Sequence, residues 1–147
     1  MLTSPEGLAL IKHFEGFRPN VYLDAAGLPT VGVGHLIRPG EDFSAGISEA
    51  QGDELLAKDL GKAESAVARL TPRQLSQGQF DALVAFTFNV GPGAYQRSTL
   101  RQCVAVGHDD LAVEQFGRWT RAGGRVLPGL VRRRAAEAEM YRRGCDA

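Results

Sequence analysis

The sequence predicts an α+β fold: a small lobe carrying a β-hairpin, a long connecting helix, and a mainly helical lobe. Three observations carry that prediction. Around Gly27 and Pro29, two short runs alternate apolar with small or polar residues, the pattern of a hairpin and its turn. From Ser48 onward, Leu56, Leu60, Ala63, Val67 and Leu70 recur at alternating steps of four and three, one stripe of a long helix. Beyond Thr71-Pro72, short apolar stripes at helical spacing alternate with capping and turn residues. A chain of 147 residues fits one domain, residues 1–147. Its parts are a hairpin lobe over about 1–47, a connecting helix over about 48–70 and a helical lobe over about 71–147.

In chain order, Thr3 or Ser4 begins the first helix, Pro5 suits its first turn, and Thr3 with Glu6 would form a capping box. Leu8, Ile11 and Phe14 share its buried face, and Gly16 is a left-handed stop. The helix thereby delivers Glu15 to its C-terminal end. Residues 21–23 and 30–35 are the two strands; in the second, Thr30, Gly32 and Gly34 share one face and Val31, Val33 and His35 the other. Arg38-Pro39-Gly40 opens a loop that runs through Gly46, and Ser48-x-x-Gln51 caps the long helix. At 1.5 Å per residue that helix would run about 30 Å.

In the helical lobe, Ser76-x-x-Gln79 caps a helix with Phe80, Leu83, Val84 and Thr87 inward, stopped at Asn89-Val-Gly-Pro-Gly93. Ser98 caps the next, with Leu100, Cys103 and Val104 inward, ending at Gly107. Asp109 or Asp110 starts another, carrying Leu111 and Phe116 towards Trp119. Gly123-Gly124 makes a turn, and Pro128-Gly129 begins a last helix from 130 to about 142, with Leu130, Val131, Ala135, Ala138 and Tyr141 as its apolar side.

Residues 15–35 concentrate groups that can do chemistry. Glu15, at a helix end between Phe14 and Phe17, is placed to give up a proton to a leaving group. Asp24 lies in a polar, glycine-rich turn, and the hairpin folds Thr30 back towards it. Gly32 and Gly34 leave open backbone beside them, as where a ligand must approach closely. Two carboxyls in contrasting environments suit glycoside cleavage, one as acid for the leaving oxygen and one as base for water.

Composition excludes several other classes. A hydrophobic content of 44% is enough for a core. The net charge is zero but unevenly spread: −4 over residues 1–70, −1 over 71–117 and +5 over 118–147, whose basic residues are all arginine. A basic end points to an anionic partner surface. No aromatic–basic interleaving supports nucleic acid as that partner. Cys103 and Cys145 make no disulfide framework, Cys103 falling on an apolar stripe. His13, His35 and His108 are isolated, so no metal cluster is expected and no cofactor is implied. No apolar run is long enough to span a membrane, and the N-terminus lacks the pattern of an export signal.

The ordered set Glu15-x8-Asp24-x5-Thr30, followed by Val31-Gly-Val-Gly-His35, resembles the active-site segment of the phage-type lysozymes, the glycoside hydrolase family 24 muramidases. Phe86-Thr-Phe-Asn-Val-Gly91 is similar to the helix end that lines the far side of that family's cleft. Trp119, with the stretch from Ala122 to Arg134, is similar to its closing segment. The resemblance implies two lobes joined by a long helix, with the peptidoglycan strand held between them. It implies an endolysin that hydrolyses the β-1,4 bond between N-acetylmuramic acid and N-acetylglucosamine, lysing a host cell to release phage. Glu15 would be the general acid, and Asp24 and Thr30 would activate water, with inversion at the anomeric carbon. Leu36, Phe88 and Thr99 match substrate-contacting positions. The family places an arginine from the last helix near the catalytic Glu; Arg132, Arg133 and Arg134 compete for it, with Arg133 taken as the supporting residue. His35 is expected to be a core histidine paired with an acid such as Asp59, a second supporting residue. The same resemblance implies a monomer without metal or cofactor, held in the host cytoplasm until a separate holin gives access to the wall. A lytic transglycosylase on the same bond needs no water-activating pair, which Asp24 and Thr30 argue against. A non-catalytic wall-binding module is the other alternative.

Overall fold

The computed structural model describes residues 1–146. The chain divides into two compact units: one is Leu8–Gly61, and the other combines Met1–Gly7 with the residues from Lys62 onward.

In the Leu8–Gly61 unit, helix α1 (Pro5–Glu15) ends where Gly16 takes φ +77°, its N–H closing back on the Lys12 carbonyl at 2.8 Å. Strands β1 (Arg18–Leu23), β2 (Pro29–Gly32) and β3 (His35–Leu36) form an antiparallel sheet in that order. Residues 30–35 are therefore not one strand. Gly32 and Gly34, at φ +68° and +72°, reverse the chain. His35 returns to pair with Val31, and Leu36 with Thr30. Helix α2 (Glu49–Asp59) covers β2 and β3, and begins with the expected capping box of Ser48 and Gln51.

The helix expected over 48–70 is two helices, α2 and α3 (Gly61–Leu70). At Leu60 the backbone relaxes to ψ −13° and its N–H turns between the Leu56 and Lys58 carbonyls. Gly61, a poor helix former, follows at once. Leu56, Leu60, Ala63 and Val67 are all buried, so the apolar stripe reads straight through the break.

In the other unit, the first turn of α1 is capped by Ser4 rather than by Thr3: Ser4 Oγ accepts from the Gly7 N–H at 3.2 Å. Thr3 instead donates through N and Oγ1 to Glu64 at 2.7 Å each. Ser4 N and Oγ both donate to the buried Asp81. Helix α4 (Gln77–Val90) is buried continuously from Gln79 to Thr87 and packs on the last helix, α8 (Pro128–Cys145). A short helix the sequence pattern missed, α5 (Pro92–Arg97), starts on Pro92. Then come α6 (Thr99–Ala105), capped by Ser98, and α7 (Asp109–Phe116). Phe86 is the hub, edge-on to Tyr95, Phe116 and Trp119.

Three expectations for this region fail. The stretch at Gly123-Gly124 is more than a turn between helices: β4 (Arg121–Ala122) and β5 (Arg125–Val126) form a small ribbon around it. The inward side of α8 is not the aliphatic stripe, because Val131 and Ala135 are exposed; it is Arg133, Arg134, Glu137, Met140, Tyr141 and Gly144. Opposite charges spaced three and four residues apart partly offset one another there, which eases their burial. Leu111 also faces solvent while Ala112 and Phe116 are buried.

Candidate active site

The turn between β1 and β2 is built by Asp24. Its carboxylate Oδ1 accepts the N–H groups of Ala26 and Leu28, both at 2.9 Å. Its main chain closes the same loop, through Asp24 N–H to Leu28 O and Gly27 N–H to Asp24 O, each 2.9 Å. An aspartate suits such a turn because its short side chain can bond its own backbone two residues on. Neither side-chain bond uses Oδ2.

Thr30 sits at the start of β2, opposite Tyr22 of β1, and is buried. Its hydroxyl donates to the Leu28 carbonyl at 2.9 Å, which orients Oγ1 and keeps its lone pairs for a donor from outside. The Leu28 residue thus ties the two side chains together: its N–H holds Asp24 and its carbonyl holds Thr30. The expected proximity of Asp24 and Thr30 is present, although Thr30 is buried rather than standing on an open strand face.

Glu15, half-buried, is brought to the β2–β3 turn. A Cβ on Gly34 would lie 3.4 Å from Glu15 Oε2, and Gly34 is held at φ +72°. Glycine is thus required twice at this point, by the backbone conformation and by the carboxyl beside it. Leu36, directly across from Thr30, is exposed.

His35 is turned the other way, beside Val31, and does not join this group. Its Nδ1 lies 2.8 Å from Asp59 at the end of α2, and its Nε2 lies 3.0 Å from Glu41. The ring is buried and meets Phe43 edge-on. The pairing with Asp59 matches expectation, whereas Glu41 was not anticipated. It comes from a loop whose geometry no periodicity reveals: its Oε1 also accepts the Arg38 N–H at 2.7 Å. Burial alone would lower the His35 pKa, but its hydrogen bonds to Glu41 and Asp59 outweigh it and raise the imidazole above its ordinary value.

The remaining candidates lie in the other unit. Phe88 is half-buried near the end of α4, and Thr99 is exposed at the first turn of α6. The three arginines of α8 separate clearly: Arg132 is exposed, whereas Arg133 and Arg134 are buried against Glu137. Arg134 Nη2 donates to Glu137 Oε2 at 3.0 Å and to Asn89 Oδ1 at 2.9 Å. Its guanidinium also covers the Phe86 ring at 5.1 Å. The sequence pattern assigned Glu137 no role; its spacing from Arg133 and Arg134 was the available signal. Among the described residues no cluster of His, Cys, Asp or Glu could hold a metal ion. Nor is any helix long and apolar enough to cross a membrane.

Comparison with known proteins gives a consistent picture. The family profile described as phage lysozyme matches residues 12–137. The endolysin of Bacillus phage B103 is 38% identical over 148 residues, covering 98% of this chain but only 55% of that protein, so the chain spans about half its length. A solved structure of a phage P22 lysozyme mutant superposes with a TM-score of 0.88 at 32% identity, covering 96% of this chain and 98% of that one. The muramidase domain of SpmX from Asticcacaulis excentricus superposes with a TM-score of 0.85 at 35% identity, covering 95% and 96%.

Proposed function

Because the chain belongs to the phage lysozyme family, we propose that it degrades peptidoglycan, hydrolysing the β-1,4 bond between N-acetylmuramic acid and N-acetylglucosamine. The observation that carries the reading is the Leu28 link between Asp24 and Thr30. A base and a hydroxyl pinned to one peptide can hold a water molecule in one orientation. Thr30 Oγ1 accepts one of its protons as a hydrogen bond, and Asp24 Oδ2 takes the other as the oxygen attacks the anomeric carbon. Glu15, on a different element and beside the open backbone of Gly34, protonates the departing glycosidic oxygen. With the water entering from the base's side and the sugar leaving towards the acid, the configuration at the anomeric carbon inverts. No cofactor is required. Leu36, Phe88 and Thr99 would contact the glycan. Arg133 and His35 would support the site. The protein would act as a monomer and, if it serves as an endolysin, would wait in the host cytoplasm for a holin to open the way to the wall.

The test is digestion of purified peptidoglycan, with mass spectrometry of the products, by wild type, Glu15→Gln and Asp24→Asn. The wild type should release reducing muramic-acid ends, and each variant should fold but lose roughly 10²–10⁴-fold in rate. A 1,6-anhydro product would instead make the protein a lytic transglycosylase. A wild type that binds walls without cutting them would make it a binding module.

A further inference from the structure

The structure sorts the eight arginines of the basic C-terminal segment. Arg133 and Arg134 are buried against Glu137, whose carboxylate offsets one of their two charges. Arg142 and Arg143 lie within ion-pair distance of Glu139, and Arg142 also of Asp146. Between Glu114 and Glu137 the sequence has no acidic residue at all. The four remaining arginines, Arg118, Arg121, Arg125 and Arg132, fall in that stretch, are exposed, and meet no carboxylate among the described residues. The segment's exposed, uncompensated charge is therefore concentrated on the β4–β5 ribbon and its two flanks.

The ribbon's register decides what kind of anion this surface fits. Arg121 pairs across with Val126, and Ala122 with Arg125. Directly paired residues share a face, so the two guanidiniums lie on opposite faces, Arg121 beside an aliphatic side chain and Arg125 beside a methyl. Every residue from 121 to 129 is exposed. A ribbon made to lie on a flat lipid bilayer would collect its apolar groups on one face and its charges on the other. Charge on both faces of a protruding ribbon suits a flexible chain with repeated negative charges, which can wrap round it. Arginine's planar fork matches phosphate in particular.

We propose that the β4–β5 ribbon, with Arg118 and Arg132 beside it, is a docking surface for a phosphodiester-linked polyol polymer of the bacterial wall. The proposal rests on the reading of the protein as a wall hydrolase. It adds a second contact, made by residues other than Glu15, Asp24 and Thr30, that would hold the enzyme on polymer-bearing wall between cuts.

The test uses the full chain and purified polyglycerol phosphate as probe, with anionic phospholipid vesicles and duplex DNA as rivals. The wild type should bind polyglycerol phosphate with an affinity that falls steeply with added salt. The double variant Arg121→Gln/Arg125→Gln should bind it about tenfold more weakly, while its rate on peptidoglycan stripped of the polymer stays at the wild-type value. Replacing both by lysine should leave binding between the two, since charge is kept and the fork is lost. Unchanged binding in the glutamine variant, or vesicles or DNA bound more tightly than the polymer, would overturn the proposal. Failure to cut stripped peptidoglycan, with polymer binding intact, would defeat the hydrolase reading and leave the docking surface standing.

Discussion

The two units bury charge in opposite arrangements. In the Leu8–Gly61 unit a cation lies between two anions: His35, with Asp59 on one ring nitrogen and Glu41 on the other. In the other unit an anion lies between two cations: Glu137, with Arg134 at 2.8 Å and Arg133 at 3.6 Å. The difference is in which partner can lose its charge. Arginine stays protonated at any pH the fold survives, whereas histidine titrates near neutrality. The Glu137 group is therefore a strut whose cations do not titrate, joined through Asn89 to the end of α4 and through the guanidinium to the Phe86 hub. The His35 ring can donate to both carboxylates at once only while it carries its second proton.

The largest effect should come from unbalancing the Glu137 strut. Glu137 is fully buried, and burial raises its carboxyl above the usual range and lowers Arg134, while each partner's charge opposes the shift in the other. The 2.8 Å contact from Arg134 Nε to Glu137 Oε1 is close but not aligned as a hydrogen bond, so the pair is costly to bury as well as costly to break. Glu137→Leu, which leaves Arg134 without its counter-charge, should lower unfolding free energy by about 3–5 kcal/mol. Adding Arg134→Met should recover much of that loss. Urea unfolding of both variants measures it. A double variant no more stable than the single one would mean that packing, rather than charge, governs this region.

What the sequence made legible follows from the same contrast. Side chains that act on their own backbone could be read directly: Gly16 as the stop of α1, Ser48 and Ser76 as caps, and Asp24 with its glycine-rich turn. Glu15, Asp24 and Thr30 stand out as candidates because they fall within one short stretch whose ordered spacing resembles a family's active-site segment. Partnerships that depend on an irregular loop or a distant element were legible only in part: His35 with Asp59 was, whereas Glu41 and Asn89 were not. Glu41 reaches His35 through an irregular loop, and Arg134 meets Asn89 across 45 positions. The inward face of α8 was misassigned because hydrophobicity alone was followed; their charges hid that Arg133, Arg134 and Glu137 are core residues. The break at Leu60 escaped notice because the buried stripe continues across it, and the reversal at Gly32 and Gly34 was read as continuous strand because alternation survives the turn.

The His35 group should give a smaller effect that depends on pH. The folded-state pKa of His35 lies above its ordinary 6.5, so its stabilising contribution is complete below about 6.5 and is lost as pH rises through the raised value. Glu41, lowered by the Arg38 N–H and then by His35, contributes above its ordinary 4.5 and is lost as pH falls through the lowered value. The full network therefore operates between about pH 4.5 and 6.5. The stability difference between wild type and His35→Asn should be largest in that window and shrink on the alkaline side. Urea unfolding at a series of pH values checks this, and a difference that does not change with pH would show that the ring acts by shape alone. Burial pushes the Glu137 carboxyl up to about 7. Its contribution is therefore complete below about 4.5 and falls as pH rises through about 7, and the Glu137→Leu difference should shrink over that range and then level off.

The finest comparison is between the two capping boxes, which have the same chemistry in different surroundings. Ser48 accepts from Gln51 N–H and Ser76 from Gln79 N–H, both at 3.1 Å, and each glutamine side chain returns the bond to the cap's own N–H. Ser48 is exposed, so water can replace its hydroxyl at the helix end. Ser76 is half-buried against α8, where a Cβ on Gly144 would come within 2.8 Å of its Oγ, so water cannot easily take its place. Loss of a serine cap costs about 0.5–2 kcal/mol, less where solvent can step in. Ser48→Ala should fall near about 0.5 kcal/mol and Ser76→Ala near about 2 kcal/mol. Equal losses would show that a cap's worth is set by its own hydrogen bonds; unequal ones, that the same local signal gains weight from the packing round it.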